Sequence, residues 1–225
     1  MGPVSDVILK NRRVVVNQGS LFVVILLRMG SHMPKIVAVY ASPRKMGNTS
    51  RLLGEAVEGA RSAGAEVSEF RLRDLKMSPC LEIYACEKDG ECPIDDDMKP
   101  LYGKLAGADL LVVASPIFFY AVSAQLKAMI DRCQAFWARK YLLHQPVAPP
   151  GAGRKGVFLA VGGSRGAKNF DGALLTMKYF FDALDRTFDR ALLYRGVDGK
   201  GEILRHPAAM AEAYELGKRI VGESS

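Results

Sequence analysis

Lys35-Ile-Val-Ala-Val-Tyr-Ala-Ser-Pro-Arg-Lys-Met-Gly-Asn-Thr-Ser50 passes from a short apolar segment into a polar turn. Residues 36–41 have the length and β-branched content of a strand that is buried on both faces. Ser42-Pro43 ends this strand, because proline cannot continue a hydrogen-bonded ladder. A helical pattern then begins with Leu52 and Leu53. The segment therefore predicts a buried strand, a tight turn and the start of a helix.

The turn has the composition of an anion-binding site. A helix start offers free backbone N–H groups and the positive end of the helix dipole, and Arg44 adds a planar cation suited to a phosphate. An ordinary N-cap formed by Asn48 or Thr49 is the simpler alternative, but a cap alone does not require the other polar side chains. We therefore predict a phosphate site formed by Ser42, Arg44, Gly47, Asn48, Thr49 and Ser50.

Other phosphate-binding motifs are absent or misplaced in the sequence. No G-x-x-x-x-G-K-[ST] occurs, so a nucleoside-triphosphate P-loop is unsupported. One G-x-G-x-x-G, at residues 151–156, precedes a predicted strand instead of following one, and we interpret it as a loop.

Five apolar segments, each predicted to be a strand, alternate with helical patterns, which indicates a parallel sheet with helices on both faces. With the phosphate turn after the first strand, this predicts an α/β fold, a flavodoxin-like three-layer sandwich whose five-stranded parallel sheet has the order 2-1-3-4-5. The predicted strands are 36–41, 66–72, 109–115, 156–162 and 191–195, and the predicted helices are 49–63, 97–106, 123–141, 170–189 and 208–221.

Residues 1–33 do not resemble the rest of the domain. The apolar run at 20–27 follows basic residues, as in a signal peptide, but it is too short to span a bilayer. Gly30-Ser-His-Met33 is a sequence that expression vectors commonly leave behind. We predict that residues 1–33 are a non-native or disordered, tag-like leader, and that residues 34–225 form one flavodoxin-like domain.

Composition limits the classes of partner. The net charge is +7, and it falls to +4 when the net +3 of residues 1–33 is excluded. This mildly basic balance fits an anionic ligand, and the basic residues are scattered without interleaved aromatics, so we expect no nucleic-acid partner. No transmembrane segment is predicted, so we expect no membrane partner and a cytoplasmic location. Four cysteines, three of them clustered, do not form the framework of a disulfide-rich secreted protein.

Two further loops should lie at the same edge of the sheet as the phosphate turn. The third predicted strand continues into Pro116, Ile117, Phe118 and Phe119, whose aromatic rings could stack on a flat ligand. The fourth ends in Gly162, Gly163 and Ser164, where the backbone could approach a ring edge. A loop plug under the next helix and a plain strand-to-helix turn are the respective alternatives.

These segments resemble the NADPH-dependent FMN reductase and iron–sulfur flavoprotein branch of the flavodoxin-like superfamily. The resemblance is carried by residues 42–53, 115–132 and 78–98. It implies an FMN phosphate on the first turn, the isoalloxazine ring against Pro116–Phe119, and the Gly162–Ser164 turn at its polar edge. The family usually has tyrosine where this chain has Phe118, so a hydroxyl contact with the flavin could be missing. Lys127, Asp131 and Arg132 also match, and we interpret them as structural.

The cysteine segment departs from its family pattern. Iron–sulfur members resemble C-x2-C-x2-C-x5-C, whose four thiolates hold a [4Fe–4S] cluster, whereas this chain has Ile83 in place of the second cysteine. Cys80, Cys86 and Cys92 leave three alternatives: a cluster with an outside ligand, a zinc ion with a carboxylate such as Glu82, or no metal. The missing cysteine disfavours the cluster, and Cys133 on an apolar helix face is interpreted as core.

The resemblance predicts an oxidoreductase that is an FMN-containing flavoprotein. Electrons would pass from NAD(P)H, as co-substrate, to a quinone, a flavin or a similar small-molecule acceptor. No catalytic side chain is named, because the flavin carries the chemistry. The alternative is an iron–sulfur flavoprotein, or a flavodoxin-like electron carrier without a small-molecule substrate. The family also implies a homodimer or homotetramer.

Overall fold

The computed structural model describes residues 33–223, together with the backbone of three short strands nearer the N-terminus. These strands, Val4–Leu9, Arg12–Asn17 and Leu27–Arg28, pair in antiparallel fashion and belong to a compact unit of their own. The apolar run at 20–27 lies almost entirely outside the described residues. That the leader is non-native or disordered stays a prediction.

The domain is built on a five-stranded parallel sheet with the order β2-β1-β3-β4-β5, as the sequence predicts. Its strands are β1 (Lys35–Tyr40), β2 (Glu66–Arg71), β3 (Leu110–Pro116), β4 (Lys155–Gly162) and β5 (Thr187–Arg195).

Seven α-helices accompany the sheet in the part of the chain that the structure describes. They are α1 (Asn48–Ser62), α2 (Cys86–Asp89), α3 (Lys99–Gly107), α4 (Ala124–Arg132), α5 (Gln134–Trp137), α6 (Asp171–Ala183) and α7 (Ala209–Gly222). Short 3-10 helices lie at Leu72–Asp74 and Glu202–Arg205, and a π-helical turn at Ala138–Leu142 follows α5.

Two hydrophobic cores lie on opposite faces of the sheet, because successive strand side chains alternate in direction. On one face Val37 and Val39 of β1 pack with residues of α3, α4 and α6. On the other, Ile36 and Ala38 pack with α1 and α7. The three central strands are almost fully buried, which explains why their sequences are continuously apolar.

Two predicted helix boundaries differ from the structure. The helix predicted at 170–189 ends at Ala183, because Asp185 adopts a left-handed φ of 53° and residues from Thr187 onward pair with β4. The predicted helix at 123–141 is divided, since α4 ends at Arg132 and a separate turn, α5, begins at Gln134. Both differences concern where a helix stops, which local turn chemistry determines.

Candidate functional site at the carboxyl edge of the sheet

The first turn of α1 begins without a side-chain cap. Gly47 is the N-cap residue, with φ −67° and ψ 168°, and no side chain accepts a hydrogen bond from the helix start. Gly47 also fits a narrow space, because a Cβ atom there would lie 2.8 Å from the Ser42 Oγ. By helix geometry, the N–H groups of the first turn have no intrahelical acceptor. The structure thus places uncapped donors and the positive helix end at one point, which suits an anion.

The predicted phosphate donors also contact neighbouring loops. The Ser42 Oγ accepts a hydrogen bond from the Arg44 N–H at 3.2 Å, which shapes the turn. The Arg44 Nη1 donates to the Asp198 carbonyl at 3.1 Å, and the Asn48 Nδ2 donates to the Gly199 carbonyl at 2.9 Å. Arg44 is exposed, so its other N–H groups face solvent and can reach an anion.

A cleft of about 50 Å³ brings most of the predicted site residues together. Five of the six predicted phosphate residues line it, with three residues of the loop after β3 and one of the loop after β4: Ser42, Arg44, Gly47, Asn48, Thr49, Pro116, Ile117, Phe118 and Gly163. The cleft has the size of a phosphate group, not of a whole flavin, so a ring would lie against its exposed rim.

The remaining predicted residues lie around this cleft without lining it. Ser50 lines a neighbouring groove on the other side of the turn. Gly162 and Ser164 flank Gly163, and the Phe119 side chain is fully exposed. The contacts of these residues with a flavin stay a prediction.

The loop after β3 is a two-residue hairpin with its aromatic residues at the tip. Phe118 and Ala121 exchange two backbone hydrogen bonds of 3.0 Å. Phe119 and Tyr120 between them have φ values of 48° and 62°, a left-handed conformation that is costly for non-glycine residues. Because the Phe119 ring is entirely exposed, packing of this ring does not offset the cost of the left-handed backbone at Phe119.

A buried serine network fixes this loop against the phosphate turn. The Ser123 Oγ donates to the Ala41 carbonyl at 2.7 Å and accepts from the Leu126 N–H, so it also caps α4. The Ser115 Oγ accepts from the Ser123 N–H at 2.9 Å. Both serines are fully buried. The network therefore joins the ends of β1 and β3, which holds two of the site's loops in register.

The loop after β5 is a part of the site that our sequence analysis did not predict. Val197 and Asp198 line the cleft, and a Cβ atom at Gly163 would lie 3.1 Å from the Asp198 side chain. A signal was present in the sequence, since Gly196, Gly199 and Gly201 form a glycine-rich turn at the end of the last strand.

The cysteine segment is held to the domain by a buried arginine. Arg132 is 1% exposed and makes five hydrogen bonds to this segment. Its Nη1 donates to the Asp96 carboxylate at 2.6 Å, and its Nε donates to the Cys92 Sγ at 3.2 Å. Burial alone would raise the pKa of Asp96, but the hydrogen bonds from Arg132 and from two backbone N–H groups leave that pKa below its usual value.

The three clustered cysteines do not fit a four-cysteine cluster. Ile83, which is 55% exposed, stands where the family pattern has its second cysteine, and within residues 33–223 no group of three or more His, Cys, Asp or Glu side chains is arranged to hold a metal ion. Burial and the neighbouring Cys92 raise the pKa of the Cys86 thiol, which keeps that thiol protonated at neutral pH. Burial likewise raises the pKa of Cys133 in the core.

Comparison with known proteins identifies the family. Residues 34–184 match the sequence profile described as NADPH-dependent FMN reductase. The chain belongs to this family. Among curated proteins, an iron–sulfur flavoprotein of Archaeoglobus fulgidus is 40% identical over 130 residues, which are 58% of this chain and 63% of that protein. An iron–sulfur flavoprotein of Methanocaldococcus jannaschii is 38% identical over 98 residues, 44% of this chain and 51% of that protein.

The chain thus spans between half and two thirds of the length of these curated relatives. Among solved structures, an NAD(P)H:quinone oxidoreductase from Methanothermobacter marburgensis superimposes with a TM-score of 0.63 at 17% identity, covering 84% of this chain and 96% of that one. This likeness confirms the flavodoxin-like fold of the FMN reductase family. No helix in the described part of the chain has the length and apolar character needed to cross a membrane.

Proposed function

We propose that this chain is an FMN-dependent oxidoreductase that takes electrons from NAD(P)H and passes them to a quinone, a flavin or a similar acceptor. The observation that carries the proposal is the uncapped start of α1 beside a phosphate-sized cleft, where the loops after β1, β3 and β4 meet. Membership of the NADPH-dependent FMN reductase family supports the choice of cofactor and electron donor.

Each loop has a separate task in this proposal. The first-turn N–H groups of α1, with Ser42, Arg44 and Thr49, would hold the FMN phosphate. Phe118 and Phe119, which are 46% and 100% exposed, would contact the isoalloxazine ring. The backbone of Gly163 would face its polar edge. FMN held in this way would supply the redox chemistry between the nicotinamide and the electron acceptor.

The protein's own contribution is binding, orientation and water exclusion. None of the site side chains named here needs to act as an acid or a base, so we assign no catalytic residue. We propose a homodimer or homotetramer, because exposed apolar side chains such as Phe119, Leu175 and Tyr179 would be covered by a second copy. The cytoplasmic location stays a prediction from the sequence.

The decisive experiment is anaerobic mixing of the FMN-loaded protein with NADPH. We expect the visible flavin absorption to bleach within seconds, and to return when a quinone is added. A flavin that stays oxidised in the presence of NADPH would instead indicate an electron carrier without a nicotinamide substrate.

A second candidate follows from the two curated relatives described above, both of which are named iron–sulfur flavoproteins. Cys80, Cys86 and Cys92 retain three of the four cysteines of the family pattern. Iron and sulfide analysis of protein purified without oxygen separates the two functions. We expect no stoichiometric iron, and four irons per chain would favour the iron–sulfur alternative.

A further inference from the structure

A second and larger cavity adjoins the proposed phosphate site. It is a groove of about 560 Å³ between α1, β2 and the loop that precedes α7. Ser42 lines both this groove and the phosphate cleft, and Ser50 and Lys45 also face the groove. Its volume is typical of small-molecule sites. The groove therefore continues the flavin site towards the β2 edge of the sheet.

The groove is basic. Five cationic side chains line it against three carboxylates: Lys45, Arg51, Arg61, Arg71 and Arg73 against Glu55, Glu58 and Glu69. This excess of positive charge would attract an anionic ligand.

The cations of the groove differ in how strongly carboxylates already bind them. Arg61 is paired with two carboxylates, at 2.9 Å to Glu58 and 2.7 Å to Glu69. Arg71 shares Glu69 with Arg61 at the longer distance of 3.2 Å, and Arg73 pairs with the half-exposed Asp74. The Arg71 side chain is 47% exposed, so its ion pair contributes little and Arg71 can turn to a ligand at small cost. Arg73 is 21% exposed and already lies in the lining of the groove.

Arg51 adds an unsatisfied donor. Within residues 33–223, its Nε is buried and has no hydrogen-bond partner. A buried donor without an acceptor costs free energy that an anionic oxygen would recover. Arg51 therefore points to the same class of ligand as Arg71 and Arg73.

The groove also offers surfaces for a flat base. Met46 and Leu204 line it and are 58% and 50% exposed. The Arg71 guanidinium lies over the Tyr40 ring, 4.7 Å from its centre, so one planar face is covered by that ring and the opposite face is left for stacking. Cations beside exposed apolar side chains are the combination that a phosphorylated nucleotide requires.

We propose that this groove binds the phosphorylated adenosine end of NADPH, with Arg51, Arg71 and Arg73 around the 2′-phosphate. The protein then uses NADPH in preference to NADH, which lacks that phosphate. This inference rests on the proposed function, and it adds the groove and the residues that would recognise the 2′-phosphate.

The first test measures binding without any redox reaction. Adenosine 2′,5′-bisphosphate is titrated into the purified protein by calorimetry, with ADP, which lacks the 2′-phosphate, as the matched ligand. We expect the bisphosphate to bind more tightly than ADP. Arg71→Ala and Arg73→Ala should each weaken binding of the bisphosphate about tenfold or more, which is the scale of one charge-assisted hydrogen bond. Neither change should alter the affinity for ADP. Arg71→Lys should restore part of the loss.

Lys104→Ala is the control, because Lys104 is exposed on α3, the helix on the opposite face of the sheet. Equal binding of the two ligands, or variants that bind the bisphosphate like the wild type, would overturn the assignment of the groove. The second test compares KM for NADPH and NADH, and we expect the arginine variants to raise only the former.

The two proposals fail in different ways. Absence of flavin bleaching by either nucleotide, with arginine-dependent binding of the bisphosphate retained, would refute the proposed function and leave the groove a nucleotide site. If both nucleotides bleach the flavin and the KM values are equal in the wild type and the variants, the assignment of the groove as a 2′-phosphate site is refuted and the proposed function is retained.

Discussion

Arg44 contacts a neighbouring loop of the candidate site and still has exposed N–H groups that could bind an anion. Its Nη1 holds the loop after β5 through the Asp198 carbonyl, and its remaining N–H groups are exposed beside the uncapped start of α1. A guanidinium can do both because it has five donors in a fixed fork. The sequence predicts Arg44 as an anion ligand, which stays a prediction. Its contact with Asp198 could not be predicted, since 154 residues separate the two in sequence.

Arg44→Ala should weaken FMN binding by about 1.5–3 kcal/mol, because it removes a charge-assisted hydrogen bond to the phosphate. Fluorescence titration of the flavin-free protein with FMN measures the change. Lys104→Ala, on the far side of the sheet, is the control for loss of a positive charge and should bind FMN like the wild type. Unchanged affinity in Arg44→Ala would remove this residue from the site.

Asn48 marks the limit of prediction at the residue scale. The sequence suggested it as a phosphate donor or as a cap, yet its amide donates to the Gly199 carbonyl and its oxygen accepts from the Ile203 N–H at 3.4 Å. Both partners belong to the loop after β5. Which loop a short polar side chain contacts depends on the three-dimensional approach of distant segments, and no local pattern encodes it.

At the scale of elements, the Phe118–Ala121 hairpin presents an exposed aromatic tip at a cost in stability. Two consecutive non-glycine residues with positive φ cost free energy that a two-residue loop normally avoids by using Asn-Gly. The sequence indicated an aromatic wall at this point, but the backbone conformation of Phe119 and Tyr120 could not be read from residues that so rarely adopt it.

The double change Phe119→Asn with Tyr120→Gly should raise the free energy of unfolding of the flavin-free protein by about 1 kcal/mol, because both residues favour the observed turn. The same variant should bind FMN more weakly, since the ring loses its aromatic contact. Urea unfolding and FMN titration measure the two effects. Leu175→Gln, which also removes an exposed apolar side chain but from a regular helix, should not gain stability. A less stable hairpin variant would refute the strain.

A second element, the cysteine segment, is attached to α4 through Arg132, and the ion pair of Arg132 with Asp96 is part of this contact. Asp96 has a lowered pKa beside the buried Arg132, so it contributes stability above its ordinary pKa of 3.8. That contribution is lost as the pH falls through its lower, folded-state pKa. The sequence predicts a structural role for Arg132, and the structure shows its partners, which the sequence alone does not indicate.

Asp96→Asn should lower the stability at neutral pH by about 3 kcal/mol, because it leaves the Arg132 charge buried without its partner. It should also reduce the loss of stability below pH 3.8, since the titrating carboxylate is gone. Urea unfolding at a series of pH values measures both effects. Asp95→Asn, at an 85% exposed neighbouring side chain, is the matched control. If the free energy of unfolding falls as steeply at low pH in Asp96→Asn as in the wild type, the role given to Asp96 is wrong.

At the scale of the whole molecule, the sheet was predictable because its central strands are buried on both faces and read as continuous apolar runs. The start of the edge strand β5 was harder to predict, because the sequence predicts a strand only from residue 191 and β5 begins at Thr187. Its first residues, Thr187 to Arg190, look polar in sequence, because an edge strand is covered less completely. The convergence of three loops followed from the strand order, whereas the fourth loop and the arginine groove required the tertiary structure.

The phosphate turn is the basis of the whole account, and a comparison of two ligands tests it most directly. FMN and riboflavin differ only in the phosphate, so both are titrated into the flavin-free protein under the same conditions. We expect FMN to bind far more tightly than riboflavin, and Arg44→Ala to reduce this difference in affinity. Equal affinity for the two ligands would contradict it.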